Sequence, residues 1–388
     1  MHHPYRPTAR GSSLATDTLA PALAVISASA AMSDSNAAFP AAGLDALADA
    51  GLLGLCVPTE FGGMGEGPRT FAAVVEEIGR VCASTAMIFV MHTSATQVIV
   101  ASSTFADKAE ILREIAAGRH LTTLAFSESG SRSQFWAPVS QIESVDGKMT
   151  LAAKKSWVTS AAAADSYVAS AQMPGAESPL QSTLLLVRKG AGGVRIDGAF
   201  NGLGLRGNDS APVTLEGFAV DERDLLTPQG EGAGAMLGVV LPWFSVGTAA
   251  MAHGICRAAI GATIGHLQGA GFTHTGTQLR DLPNLRVRVA EMSVATEASR
   301  ALLGHTLDWM EQPSDMTPVY VLQARLSALQ TVDKVTDLAM KACGGAAFSK
   351  HLPVERLFRD ARAGWVMAPT VDHLQDFVGK ALTGLPLF

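Results

Sequence analysis

The chain has 388 residues, 48% of them hydrophobic and 16% charged, with a formal net charge of −6. That supplies two or three well-buried domains, and the scattered charges form no basic stripe to neutralise phosphates, which excludes nucleic acid as a partner class. Neither the four isolated cysteines (Cys56, Cys82, Cys256, Cys343) nor the ten histidines show metal-ligand spacing, so no metal is expected.

Residues 12–120 read as helical. An apolar stretch at 19–32 follows a long polar segment, 1–17, which suits a domain helix better than a signal peptide. Residues 39–58 repeat apolar side chains at three- and four-residue spacing and stop at Pro58. Residues 70–103 form one long, nearly all-apolar run, as in helices buried between others, and 105–120 is amphipathic with Gly118 as its C-cap. No segment carries the uninterrupted apolar length of a membrane span, so no membrane partner is expected. The cysteines read as buried thiols of a reducing, cytoplasmic compartment.

At Leu121 the pattern changes to short alternating runs separated by Gly, Asp, Asn and Ser, and Val-Asp-Gly-Lys at 145–148 signals a hairpin. This region reads as a β-barrel or sandwich. A glycine-rich link at 227–234 returns the chain to helical runs at 235–270, 285–312, 316–343 and 355–383. The expected organisation is α+β and multidomain: an N-terminal helical domain (1–120), a middle β-domain (121–231) and a C-terminal helical bundle (232–388).

Six segments then agree in order with one family. They are GLLGLCVPTEFGGMG (51–65), VVEEIGRVCAST (74–85), FSESGSRS (126–133), KKSWVTSA (154–161), LGLRGNDSAPVTLEGFAV (203–220) and CGGAAFSKHLPVERLFRDAR (343–362). Together they resemble the acyl-CoA dehydrogenase family, whose fold is a β-domain between two helical ones. The resemblance implies FAD, with FMN as the other flavin. It places Phe126 and Ser127 at the pyrimidine edge, Trp157 against the ring, Thr159 near N5 on the same strand face as Trp157, and Ser133 nearby. Thr370 is either a helix cap or a flavin contact.

For the ADP end, the family's Arg, Phe and Gln positions fall on Phe272, Thr275 and Pro283, with Gly276 retained, and a further Gln position on Lys341. Lys341 offers a positive charge near pyrophosphate, and Gly344 and Gly345 permit close backbone approach. That end also needs a second subunit, so a homodimer or homotetramer is implied.

The family's reaction removes a proton alpha to a thioester carbonyl while hydride leaves the beta carbon, and it needs a carboxylate base. Counting from Arg-Asp-Ala-Arg (359–362), that position is Ala368; the alternative position is Phe244. Pro369 suits the first turn of the following helix, and Asp372 lies one turn beyond Ala368 as a weak substitute base. His373 is a weaker one, and His253 reads as a core histidine. Trp243, Phe244, Trp365 and Met367 suit either core packing or an apolar pocket. Three functions stay open: an acyl-CoA oxidoreductase served by an electron-transfer flavoprotein, a flavin-dependent monooxygenase served by a flavin reductase, and a non-catalytic homologue.

Overall fold

A computed structural model of the chain describes residues 17–387. Helix α1 (Leu19–Asn36) turns Leu19, Ala22, Ile26 and Ala30 inward, a stripe that packs on α2 (Ala41–Asp49) and α3 (Pro68–Val81). The run expected over 70–103 is two helices. Cys82 has an extended backbone (φ −152°, ψ 108°) that separates α3 from α4 (Ala83–Ala101). Apolar periodicity misses this break because both flanks are buried. Helix α5 (Lys108–Ala116) closes just before Gly118, whose φ is +73°. The amides of Gly118 and Arg119 return to the carbonyls of Ile115 and Glu114, a Schellman closure that glycine accommodates without strain.

The middle region is a two-sheet sandwich. One sheet holds β1 (Thr122–Ala125), β4 (Ser166–Gln172) and β5 (Ser182–Arg188) in the order β1-β4-β5. The other holds β2 (Ile142–Val145), β3 (Lys148–Val158), β6 (Val194–Ile196) and β7 (Ala211–Val220) in the order β2-β3-β7-β6. Val145 pairs with Lys148 across a tight turn whose two residues, Asp146 and Gly147, both have positive φ, as the hairpin signal requires. Leu151, Ala153, Val213 and Leu215 face Tyr167, Ala169, Leu185 and Val187 in a core of their own. The other face of the three-stranded sheet, with Leu124, Val168, Leu184 and Leu186, joins the helical core.

A short α6 (Gly232–Ala235) passes through a π turn (Met236–Val240) into α7 (Leu241–Gly269). Helix α7 packs on α3 and on α9 (Thr317–Cys343), and α9 packs on α8 (Pro283–Glu311). Contrary to expectation, two helical stretches, Ala83–Ala101 and Gly232–Gly269, are long and apolar enough to cross a membrane. Here they are central core helices, with 89% and 61% of their most apolar windows buried, which is why neither needs a polar face. A single turn, α10 (Gly345–Phe348), follows α9. The run expected over 355–383 is three helices, α11 (Val354–Ala361), α12 (Ala363–Val366) and α13 (Val371–Thr383). Pro369 lacks an amide hydrogen and disfavours helical backbone at Ala368, so residues 367–370 cannot continue the helix. All four cysteines are free and buried.

The three domains meet at one joint. Arg359 of α11 binds Asp34 of α1 at 2.6 Å, Glu355 at 2.7 Å and the Leu203 carbonyl at 3.0 Å. The neighbouring Asp360 accepts the Leu205 amide at 2.7 Å, and Arg206 donates to the Asp34 carbonyl at 2.8 Å. Gly207 donates to Ser84 Oγ at 3.2 Å. Gly204 is required here, because a Cβ on it would lie 2.3 Å from the Arg359 carbonyl oxygen. Three of the six sequence segments, 74–85, 203–220 and 343–362, therefore supply this joint.

Candidate functional site

The loop after β1 is tied down from two directions. Phe126 is buried and stacks on Phe135 at 6.3 Å, and Phe135 meets Trp136 edge-on at 5.2 Å. Trp136 lies against His373 (6.3 Å) and Phe377 (5.6 Å) of α13. An aromatic chain thus joins the loop to the last helix. Beneath the loop, Lys155 and Glu128 form an almost fully buried ion pair at 2.8 Å. The Glu128 carboxylate also accepts the Ser140 amide at 3.0 Å and the Ser140 hydroxyl. Burial pushes its pKa up, but Lys155 and these donors outweigh that and hold it below the usual carboxylate value. Burial pulls the Lys155 ammonium down, against Glu128. On this base stand Ser127, whose carbonyl accepts the Ser156 amide at 2.8 Å, and Ser133. Arg132 and Ser133 are adjacent non-glycine residues with φ of +46° and +69°.

Trp157 stands at the end of β3 with φ +55° and 68% of its surface exposed. It does not share a strand face with Thr159. The β3–β7 register shifts between Lys155 and Val158, and Thr159 lies past the strand end, buried, with its hydroxyl 3.3 Å from Ser210 Oγ. A bulge resets alternation, so a count of two residues no longer means one face. The amides of Ser160 and Ala161 donate to the carbonyls of Asn208 and Asp209 at 2.9 and 3.0 Å, which fastens this segment to the joint.

These residues fit an isoalloxazine. A Trp in the left-handed region costs about 1–3 kcal/mol, and its exposed indole leaves a large apolar face wet. A planar ring laid on it recovers that burial, with the hydroxyl residues Ser127, Ser133 and Thr159 close by in the chain. Gly344 (φ +54°) and Gly345, which the resemblance puts near the pyrophosphate, have nothing within 4 Å of an added Cβ, so the backbone there is open. Gly276, at φ +71°, is equally open. The Lys341 ammonium is engaged by Asp337 at 2.6 Å on the same helix face.

The opposite wall comes from the C-terminal bundle. Thr370 is the N-cap of α13 and accepts the His373 amide at 3.4 Å; its hydroxyl lies 3.0 Å from His373 Nδ1. Pro369 therefore lies outside the helix, not in its first turn. Ala368 also precedes the helix, so Asp372, exposed in the first turn of α13, shares no helical face with it. The cause is the same break at 367–370. Phe244 is buried on α7, and the guanidinium of Arg325, on α9, lies 4.7 Å from its ring centroid. That guanidinium also donates to the carbonyls of Met367 (3.1 Å) and Ala368 (3.4 Å). Phe244 and Ala368, the two positions at which the resemblance looks for a base, thus both contact one arginine.

Trp243 packs on Phe71 at 5.4 Å, and Trp365 is 51% exposed with its Nε1 donating to Asp333. Of the four apolar residues singled out from sequence, Phe244 and Met367 share this wall. His253 is buried with Nε2 2.9 Å from Ser299 Oγ, a satisfied core histidine. Val239, five residues before Phe244, lines a cleft of about 420 Å³ with Ala101, Leu226, Thr227 and Glu231. Sequence reasoning missed Arg325, Phe135, Trp136 and the Glu128–Lys155 pair. Arg325 had one signal, a lone charge in the apolar run Val-Leu-Gln-Ala-Arg-Leu-Ser-Ala-Leu (321–329).

The family descriptions "Acyl-CoA dehydrogenase, N-terminal domain", "middle domain" and "C-terminal domain" match residues 17–119, 123–218 and 230–382 in turn. The chain is 28% identical over 350 residues to cyclohex-1-ene-1-carbonyl-CoA dehydrogenase of Geobacter metallireducens, covering 90% of this chain and 91% of that one. Its fold is that of butyryl-CoA dehydrogenase from Megasphaera elsdenii (TM-score 0.87, 22% identity, 95% and 98% of the two chains). It is also that of the FAD complex of PigA (TM-score 0.88, 17% identity, 97% and 98%). The chain belongs to the acyl-CoA dehydrogenase family of FAD-dependent flavoprotein oxidoreductases.

Proposed function

We propose that the chain is a two-electron oxidoreductase of acyl-CoA or a related acyl thioester, and that neither residue 244 nor residue 368 serves as its base. The observation that carries the second part is the convergence of Phe244, Ala368 and the Arg325 guanidinium on one wall. FAD, when bound, supplies the N5 position that accepts hydride. Trp157 gives the ring a flat apolar support, while the Glu128–Lys155 pair and the aromatic chain to α13 hold the loop carrying Ser127 and Ser133 in place. The wall itself has no proton acceptor at the family's positions, so the substrate's proton passes to another group or is not the group lost. Gly276, Gly344, Gly345 and Lys341 contribute to the ADP end across a homodimer or homotetramer interface of a cytoplasmic protein, with an electron-transfer flavoprotein as acceptor.

The test is to release and identify the flavin, then titrate the holoenzyme anaerobically with a panel of acyl-CoAs. Bleaching of the visible flavin bands by any of them supports the reading. FAD that no acyl-CoA reduces points to the flavin-dependent monooxygenase instead. Ala368→Glu is expected to raise reduction by saturated acyl-CoAs about a hundredfold or more, the scale of a general base; an unchanged rate argues that the wall does not face the alpha carbon.

A further inference from the structure

Arg325 is fully buried, and among the described residues no carboxylate pairs with it. Its partners are two backbone carbonyls at 3.1–3.4 Å and the face of Phe244, and its Nε has no partner at all. Burial alone draws its pKa down to about 9. Such an arrangement is a poor way to gain stability. A buried cation held only by neutral dipoles is desolvated at a cost of several kcal/mol, and an apolar side chain of similar volume is often as stable or more so. What arginine does supply is a rigid fork that reaches two carbonyls at once while its plane lies on an aromatic ring. Its three contacts belong to two segments distant in sequence: α7, through Phe244, and the two residues that open the break between α12 and α13.

We propose that Arg325 is a positioning residue of the substrate pocket: it holds the carbonyls of Met367 and Ala368 against Phe244 and so sets the wall that the substrate's reacting carbons meet. The placement of substrate at this wall rests on the function proposed above. Residues 367–370 are non-helical and include Pro369; the Met367 amide still returns to the Ala363 carbonyl at 3.2 Å, but the Met367 and Ala368 carbonyls face no helical amide. The guanidinium takes the place of such an amide. A displacement of about 1 Å in such a wall is enough to change substrate turnover by two orders of magnitude.

The experiment compares the FAD-loaded wild type with Arg325→Met and Arg325→Lys. Three quantities are read: melting temperature with flavin content, amide hydrogen exchange across 363–374, and the dissociation constant of butyryl-CoA from its perturbation of the flavin bands. Both variants are expected to keep their flavin and to melt within about 3 °C of wild type. Exchange in 367–374 rises about tenfold in Arg325→Met and less in Arg325→Lys, because lysine keeps one donor but not the fork. Butyryl-CoA binds at least about tenfold more weakly to Arg325→Met, with the lysine variant between. Unchanged exchange in that segment overturns the proposal, as does raised exchange with unaltered butyryl-CoA affinity. A wild type that does not respond to butyryl-CoA counts against the acyl-thioester reading, while the exchange arm still decides whether Arg325 holds the wall.

Discussion

Two arginines a helix apart sit in opposite surroundings. Arg359, at the three-domain joint, is held by two carboxylates and a carbonyl, and the hydrogen bonds to Asp34 and Glu355 drive its pKa further up. Arg325, at the pocket wall, has carbonyls and a ring and no counter-charge, and burial drives its pKa down. Where the chain locks three domains together, it pairs the arginine with counter-charges. Where it lines the candidate site, it leaves a charge incompletely satisfied, which is the usual sign that a position serves something other than stability.

The largest effect expected from this contrast is at the joint. Arg359→Met leaves Asp34 and Glu355 facing each other without their shared cation, and should cost about 3 kcal/mol in a denaturant melt. Arg325→Met, by contrast, should cost less than about 1 kcal/mol. Equal losses at the two sites would erase the distinction.

Asp360 sharpens the comparison next. Burial raises its pKa from 3.8 to about 6, with the Leu205 amide and Arg356 opposing and Asp34 assisting. A folded value above the unfolded one means that its contribution is fully present below about pH 4 and is lost as pH rises through about 6. Asp360→Asn keeps an acceptor for the Leu205 amide and removes the charge. The variant should gain roughly 2 kcal/mol relative to wild type at pH 7 and nothing at pH 4. A difference that does not change between those pH values would show that Asp360 is not the titrating group.

The smallest effect on stability is expected at Trp157. Its exposed indole contributes little to the apoprotein fold, so Trp157→Ala should shift the apoprotein melt by no more than about 0.5 kcal/mol. Flavin affinity, followed by fluorescence quenching, should fall at least about tenfold, since aromatic stacking surface is worth about 0.5–1.5 kcal/mol beyond the area it buries. A variant that binds flavin as wild type does would move the ring elsewhere.

The order helices, sheets, helices was legible because period 3.6 and period 2 are local properties of the chain, and the Asp146–Gly147 turn because positive φ selects those residues. The helix break at Cys82 was not, since an all-apolar run looks the same on either side of a bend whose flanks are both buried; at 367–370 Pro369 marked a helix start, but not that the cap would be Thr370. The shared face of Trp157 and Thr159 failed for a related reason: a bulge is set by the partner strand β7, not by β3 itself.

The sequence by itself determined the domain order and the absence of carboxylates at 244 and 368. It did so because hydrophobic period, turn chemistry and residue identity are fixed position by position. Only the tertiary structure decided that both positions contact Arg325. That decision belongs to packing: three segments distant in the chain share one buried guanidinium, and no local pattern records which segments a folded chain brings within 5 Å of each other.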